Sequence, residues 1–262
     1  MPAIITLLTD FGAADTYVGT MKGVILGINP GAVIVDLTHE VQPQNIEQAA
    51  FLLKTTYRYF PSGTVHLVVV DPGVGTKRRP IAVRGGRWTF AAPDNGVLSP
   101  VIRAEAGFQA FEIADPRFML PETSRTFHGR DIFAPAAAHL SLGVPISELG
   151  PPVPNPILLP PLAQPAGDIL TGHVIHIDRF GNCITDIEEE RFRWWARGSI
   201  TIEAEGKPVR GPVATYADAA PGEAVTLFGS AGHLEIAVGM GSAAARFGIT
   251  LGCQVSVMRG AG

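Results

Sequence analysis

The segment Val68–Arg79 reads VVVDPGVGTKRR and indicates the fold around it. A run of valines is typical of a strand buried on both faces of a sheet, and the glycines after it let a loop approach a ligand closely. Arg78 follows Asp71 by seven residues, far enough for the loop to fold back toward the carboxylate. A carboxylate and a guanidinium at the carboxyl end of a strand are typical of an α/β active site. The segment alone is equally compatible with a turn acid and a solvated basic loop.

Strand and helix patterns alternate through the first 150 residues. The alternation predicts an α/β domain over residues 1–150, with a largely parallel sheet flanked by helices. Asp15 is placed to cap the first helix. The predicted strands are 4–8, 33–36, 65–70, 81–83 and 88–92, and the predicted helices are 17–28, 46–57 and 132–142.

A proline-rich stretch, PPVPNPILLPPLAQP, covers residues 151–165 and holds seven prolines. Because proline lacks a backbone donor and fixes φ, this stretch can form neither a helix nor a central strand. We predict a linker over residues 151–167 and a second domain over residues 168–262. Short strand patterns separated by Gly-rich turns, without a strong helix signal, favour a small all-β barrel or sandwich there.

Composition limits the classes of function. The chain has 262 residues, a net charge of −4 and no basic stripe, which argues against a nucleic-acid partner. Cys183 and Cys253 lie seventy residues apart without a ligand set, so neither a disulfide framework nor a metal site is expected. The N-terminal apolar stretch lacks a basic region, and no run is long enough for a membrane span. We expect a cytoplasmic protein with a small-molecule site, no cofactor and no membrane partner.

Four segments share a pattern in which an apolar strand ends in an acid or amide near a glycine. Each can be a simple turn, but four in one chain favour a shared ligand pocket. Asp10 is the hardest to explain as a turn, because an acid after a buried first strand suits the paired hydroxyls of a ribose. The segments are Thr9–Gly12, Asp71–Gly73, Asp94–Gly96 and Asp178–Asn182.

His128 precedes a predicted helix in the segment Thr126–Asp131, which reads TFHGRD. A helix N-terminus favours anions and lowers the pKa of a nearby histidine, which makes His128 a candidate site residue. The alternative is a surface loop with Asp131 as a cap. For His39 a structural role is favoured. The chain lacks a Walker A loop and GxGxxG, which argues against an ATPase, and it lacks GxSxG, which argues against a serine hydrolase.

Seven segments together resemble the S-adenosylmethionine (SAM) hydroxide adenosyltransferases, relatives of the bacterial fluorinase and chlorinase. The resemblance spans nearly the whole chain and implies an N-terminal α/β domain, a C-terminal β-barrel and a homotrimer. It also implies active sites where one subunit's N-terminal domain meets the next subunit's barrel. The segments are TDFGAADTYVGTMKGVI, DLTHEV, VVVDPGVGTKRR, APDNGVL, TFHGRDIFAPAAAHL, IDRFGNCITDI and GSAGHLEIAVGMGSAA.

The resemblance implies hydrolysis of SAM to adenosine and L-methionine, with SAM as substrate and not as cofactor. The characteristic Asp, Arg and His of the family correspond here to Asp71, Arg78 and His128. The implied substrate-binding residues are Asp10 at the ribose with Asp15 beside it, Asp178 and Ser230 at the methionine end, Asn182 near the adenine, and Tyr216 as a stacking partner.

Two positions depart from the family pattern. Ala231 stands where the halogenating relatives carry an arginine, and Ile184 replaces an aromatic residue near the base.

We hypothesise that Asp71 and His128 bind the attacking water and accept or relay its proton. Arg78 would stabilise hydroxide character and fix Asp71 by a bidentate contact. One alternative is a halide adenosyltransferase, which an anionic Asp71 disfavours because it would repel a halide. The other is a non-catalytic nucleoside- or SAM-binding module, which would need no such set of residues.

Overall fold

The computed structural model describes residues 2–260. The chain divides into two compact units, of which the first ends at Leu159 and the second begins at Pro160. The boundary lies inside the stretch 151–167 that we predicted as a linker. Residues before the boundary are held by the first unit: the N–H of Ile157 donates to Asp94 Oδ1 (2.7 Å) and that of Leu159 to Ser99 Oγ (2.7 Å). Proline-rich sequence here forms ordered chain packed on a domain.

Within the described residues, the first unit contains a six-stranded sheet in the order β2-β1-β3-β5-β4-β6. The pairs β2–β1, β1–β3 and β3–β5 are parallel, whereas β4 pairs antiparallel with β5 and β6. The sheet is therefore mixed: the four strands β2-β1-β3-β5 run parallel, and the largely parallel sheet that we expected is not confirmed as a whole. The strands are β1 (Ile4–Thr9), β2 (Val33–Thr38), β3 (Val65–Val69), β4 (Pro80–Gly85), β5 (Trp88–Pro93) and β6 (Gln109–Glu112).

Helices cover both faces of this sheet, and a hydrophobic core lies on each side. All five residues of β3 are buried, as expected for the uninterrupted apolar pattern that precedes Asp71. The helices are α1 (Tyr17–Ile28), α2 (Ile46–Lys54), α3 (Ser99–Ala104) and α4 (Ala134–Ser141). Sequence patterns missed α3 and β6, which are short, and they began the last helix at 132, where the structure has a π-helical turn over Gly129–Phe133.

Parallel pairing brings the functional segments together at one edge of the sheet. Thr9 at the end of β1 is in register with Val69 at the end of β3. Asp10 and Asp71 therefore leave neighbouring strands at the same carboxyl edge, where open α/β sheets bind ligands.

In the second unit, strands β8 to β14 close into a barrel in the order β8-β9-β13-β12-β11-β10-β14, with β14 pairing back to β8. The two-residue strand β7 (Pro165–Ala166) adds to β8 at the side. The barrel strands are β8 (Ile169–Ile177), β9 (Cys183–Glu188), β10 (Ile200–Ala204), β11 (Lys207–Val213), β12 (Ala224–Phe228), β13 (His233–Val238) and β14 (Gln254–Arg259).

Two short helices interrupt the barrel sequence, α5 (Glu189–Trp195) and α6 (Ala243–Phe247). We expected no helix there, because neither segment is long enough to show a full apolar period. Their apolar residues, including Phe192 and Trp195, pack into the core of the second unit. Across residues 2–260, no helix combines the length and apolar character needed to cross a bilayer.

Candidate active site

Asp71 and Arg78 form a nearly buried ion pair at the carboxyl edge of the first sheet. Arg78 Nε donates to Asp71 Oδ1 (3.0 Å), and Arg78 Nη2 donates to Asp71 Oδ2. Each side chain is only 6% exposed. The loop predicted to fold back does so, and it turns through hydrogen bonds from the Val74 N–H to the Asp71 carbonyl and from the Thr76 N–H to the Gly73 carbonyl. Bidentate pairing of this kind fixes both position and orientation of the guanidinium.

Gly75 is required where this loop meets the segment that carries His128. Its φ of 75° lies in the left-handed region, and a Cβ there would come within 2.4 Å of the Arg125 carbonyl oxygen. Any side chain would therefore strain the backbone and push the two loops apart. The sequence predicted that glycines in this loop allow close approach to a ligand. Gly75 instead allows the loop to approach the segment around Arg125 closely.

His128 joins the pair through Arg78. It lies directly before the π-helical turn Gly129–Phe133, and its Nδ1 accepts a hydrogen bond from Arg78 Nη2 at 3.0 Å. Because arginine can only donate, Nδ1 is unprotonated and the ring proton of neutral His128 sits on Nε2. Burial, with the charge of Arg78 added, lowers the pKa of His128 below 6.5. The histidine is thus a neutral ring that orients a cation.

Arg78 Nη1 is the one nitrogen of this guanidinium that lacks a partner. It is inaccessible to solvent and makes no hydrogen bond. The guanidinium also lies over the ring of Phe133, with its Cζ 5.3 Å from the ring centroid. A buried donor without an acceptor is costly, and Nη1 points away from the Asp71 carboxylate because Nε and Nη2 face it.

Asp10 and Asp15 lie on the connection after β1 but are held differently. Asp10 Oδ2 accepts a hydrogen bond from the N–H of Gln44 at 2.7 Å, and Gln44 adopts a left-handed φ of 68°. Asp15 is exposed and lines an open cleft of about 590 Å³. It does not cap α1, because the residue before the helix is Thr16, which makes no capping side-chain hydrogen bond.

His39 contacts both ends of the same connection, which agrees with the structural role that we favoured for it. Its Nδ1 lies 2.8 Å from Thr9 Oγ1, and its carbonyl accepts from the N–H of Gly12 at 2.8 Å. On the other side His39 Nε2 makes a bent contact of 3.0 Å with Asp36 Oδ1. Asp36 in turn binds Lys22 at 2.6 Å.

In the second unit, Asp178 and Asn182 form one closed turn between β8 and β9. Asp178 Oδ1 accepts from the N–H groups of Phe180 (2.9 Å) and Asn182 (2.8 Å), and Oδ2 accepts from Asn182 Nδ2 (2.9 Å). Phe180 at the tip is 76% exposed. The two predicted binding residues, Asp178 and Asn182, therefore lie together, but they hydrogen-bond to each other.

Tyr216 presents a half-exposed ring whose hydroxyl is fixed by a buried acid, Glu235, which sequence reasoning missed. Tyr216 Oη donates to Glu235 Oε2 at 2.6 Å, and Glu235 is 6% exposed. Burial raises the pKa of Glu235, and the charge of Asp178 adds to this, so the three side chains lie in one electrostatic neighbourhood. Glu235 is the one acid in the otherwise apolar strand segment LEIAV, and this pattern could have identified it as a candidate site residue. Ser230 is exposed.

The two departures from the family pattern differ in environment. Ile184 is buried at 4% exposure, within β9. Ala231 is half-buried in the turn between β12 and β13. Among the described residues, no group of three or more His, Cys, Asp or Glu side chains is arranged to hold a metal ion.

Comparisons with known proteins agree with this architecture. The family model for the SAM hydroxide adenosyltransferase N-terminal domain matches residues 5–150, and the C-terminal domain model matches residues 172–256. The chain is 42% identical over 259 residues to an (R)-S-adenosyl-L-methionine hydrolase of Thermus thermophilus, covering 96% of this chain and 98% of that protein. It is 39% identical to the protein of the same name from Salinispora tropica, with 98% of each chain covered.

Fluorinases are also similar to this chain, at 28–30% identity. Among solved structures, an uncharacterized conserved protein from Thermotoga maritima superposes with a TM-score of 0.89 at 36% identity, covering 97% of this chain and all of that one. Both domain models and full-length relatives thus point the same way. The chain belongs to the SAM hydroxide adenosyltransferase family.

Proposed function

We propose that this protein hydrolyses SAM to adenosine and L-methionine by in-line attack of activated water at C5′ of the ribose. The water oxygen forms a bond to C5′ while the C5′–S bond breaks, and the bonding electron pair neutralises the sulfonium to give the thioether of methionine. The water proton goes to a protein base and then to solvent. The observation that carries the proposal is the almost fully buried bidentate pair of Asp71 and Arg78 at the carboxyl edge of the sheet, with His128 bound to the same guanidinium.

The geometry supports a division of labour within the predicted catalytic set. Asp71 is the group that can accept a proton from water, since a carboxylate retains free lone pairs beyond those that Arg78 engages. Arg78 stays positively charged beside Asp71 and the attacking oxygen, which favours hydroxide character. His128 engages Arg78 through Nδ1, and its proton is on Nε2. It therefore holds the guanidinium in place, and we revise our hypothesis that it also accepts the proton.

For substrate binding we propose the residues that the family resemblance indicates. Asp10 with Asp15 would bind the ribose hydroxyls, and Asp178 with Ser230 would bind the methionine amino and carboxylate groups. The exposed face of the Tyr216 ring suits stacking on adenine, because its hydroxyl is already fixed by Glu235. Asn182 would lie near the base.

A halide transferase is the closest rival, and the site disfavours it. Asp71 is an anion at the position of the nucleophile, so a halide would meet electrostatic repulsion rather than a donor. The hydrolases in the comparison are also more similar to this chain than the fluorinases are. A binding module without turnover would not need a buried arginine held in bidentate contact with a carboxylate.

The deciding experiment incubates the purified protein with SAM, with and without excess chloride, and separates the products by chromatography. The sulfonium sulfur is a stereocentre, and relatives are named for the (R) form, so each epimer is assayed separately. We expect equal amounts of adenosine and methionine, unchanged by chloride. A 5′-halo-adenosine product, or retained nucleoside without turnover, would overturn the proposal.

We further propose a cytoplasmic homotrimer in which the proposed catalytic set of one subunit works with the barrel of the next. Light scattering should give three times the 27.7 kDa mass of one chain. The decisive control mixes two impaired variants, Asp71→Asn with its low kcat and Asp178→Ala with its raised KM, by co-refolding, and assays them at SAM concentrations far below KM. Mixed trimers regain activity only if these residues serve one site from different subunits; no recovery contradicts the shared site.

A further inference from the structure

The turn Asp94–Gly96 lies beneath the loop that carries Asp71 and Arg78. It follows β5, and β5 pairs with β3 on one side and with β4 on the other. The loop leaves the end of β3 and enters β4, so it must cross over the carboxyl end of β5. Sequence analysis singled out this turn as a candidate pocket element, and the proposed reaction gives it no role.

One end of the loop is held by Asn95. Its Nδ2 donates to the carbonyl of Val70, the residue directly before Asp71, at 2.9 Å. Its Oδ1 accepts from the N–H of Val97 at 3.2 Å, which locks the amide orientation. Both polar atoms of the side chain are therefore used, one on the turn itself and one on the loop.

Asp94 holds the other end of the loop. It binds Arg79, the residue directly after Arg78. Arg79 Nε donates to Asp94 Oδ2 at 2.9 Å, and the Asp94 N–H donates to the Arg79 carbonyl at 2.9 Å. Asp94 is 2% exposed, and its Oδ1 accepts from the N–H of Ile157. Two adjacent side chains thus grip the residue before Asp71 and the residue after Arg78.

We infer that Asp94 and Asn95 are positioning residues that hold both ends of this loop, so that Asp71 and Arg78 meet in bidentate geometry. The inference rests on the proposed function, which makes this pair the catalytic one. The bidentate contact tolerates little error, since two hydrogen bonds must align at once. A displacement of about 1 Å can cost about 10²-fold in rate. Neither positioning residue touches the pair, so the effect should appear in kcat and not in substrate affinity.

The test replaces Asn95 by aspartate, which keeps the size and the acceptor but removes the donor to Val70. Asn29 offers a matched control at the opposite edge of the sheet. Its Nδ2 donates to Ser141 Oγ at 2.8 Å, and its Oδ1 accepts from the Gly31 N–H at 3.2 Å, the same pattern as in Asn95. Asn29→Asp therefore measures what an Asn→Asp change costs in stability away from the site, and its cost is the lower one because the Ser141 hydroxyl can donate to the new carboxylate whereas the Val70 carbonyl cannot.

We expect Asn95→Asp to lower the melting temperature at least as much as Asn29→Asp does. Only Asn95→Asp should lower kcat, by about 10–10²-fold with KM within about threefold. Hydrogen exchange at residues 71–79 should quicken in Asn95→Asp and stay unchanged in Asn29→Asp. If Asn95→Asp does not fold, Arg79→Lys replaces it, since the half-exposed Arg79 grips the other end and lysine lacks the planar fork.

Two results separate this inference from the proposed function. If the wild-type protein hydrolyses SAM but Asn95→Asp and Asn29→Asp share the same kcat and loop exchange, the positioning role is wrong and the proposed function stands. If the wild-type protein does not hydrolyse SAM, the proposed function fails, and exchange at residues 71–79 still decides whether Asn95 holds the loop.

Discussion

Asp71 in the first unit and Asp178 in the second both follow a strand and precede a glycine, yet the structure uses them in opposite ways. Asp178 closes its own turn, and its carboxylate accepts three hydrogen bonds within residues 178–182. The carboxylate of Asp71 instead binds Arg78, seven residues away, in a pair that is almost fully buried. One acid stabilises local backbone and the other orients a distant cation.

The difference teaches what a strand-end acid can contribute to a site. A carboxylate satisfied by neighbouring N–H groups is a rigid, partly neutralised anion, suited to hold a cationic group of a ligand at the rim. A carboxylate paired with a buried arginine keeps its charge away from solvent, next to a donor that has no partner. Only the second arrangement has the parts for activating water.

The largest effect is expected for Asp71→Asn. This substitution keeps the shape of the side chain but removes the proposed base and the negative charge that fixes Arg78. We expect kcat to fall by about 10²–10⁴-fold, the range of general base assistance, with KM within about threefold. Single-turnover assays and SAM binding by calorimetry measure the two separately. Near-normal turnover would remove Asp71 from the mechanism.

Asp178→Ala tests the other side of the contrast. Loss of the carboxylate leaves three hydrogen-bond donors in the turn without an acceptor and removes the proposed partner of the methionine amino group. KM for SAM should therefore rise about tenfold or more while kcat changes less. The free energy of unfolding should fall by roughly 1–3 kcal/mol, measured by urea denaturation. Asp178→Asn is the matched variant, because its amide oxygen retains the two backbone contacts. A loss confined to kcat would contradict a binding role.

The smallest expected effect is the pH dependence that His128 confers. Burial lowers the pKa of His128 below the ordinary 6.5, so the ring is mainly neutral at neutral pH and kcat should be flat from about pH 8 to neutral pH. Below that range protonation removes the acceptor for Arg78 and kcat should fall. His128→Asn, whose carbonyl can stand in for Nδ1, should lose this acidic limb. A break in the wild-type profile above pH 6.5 would show that the ring is charged in the resting site.

Local sequence was sufficient where local physics decides the structure. The valines before Asp71 predicted a buried strand, and β3 is buried throughout. The Gly181–Asn182 turn signal matched a closed turn. Short elements failed for the opposite reason: α3, α5 and α6 span five to seven residues, too few to show an apolar period above background.

By itself the sequence determined that strands and helices alternate in the first part, that short strands dominate the second, and which family the segments resemble. That resemblance in turn implied that Asp71, Arg78 and His128 form one set. Only the tertiary structure decided that His128 Nδ1 accepts from Arg78 and that Arg78 keeps one buried donor. It alone showed that Asn95 reaches back to the carbonyl of Val70 and that Glu235 holds Tyr216. These contacts join residues 19 to 50 positions apart, and their geometry depends on strand order and loop closure, which local patterns do not encode.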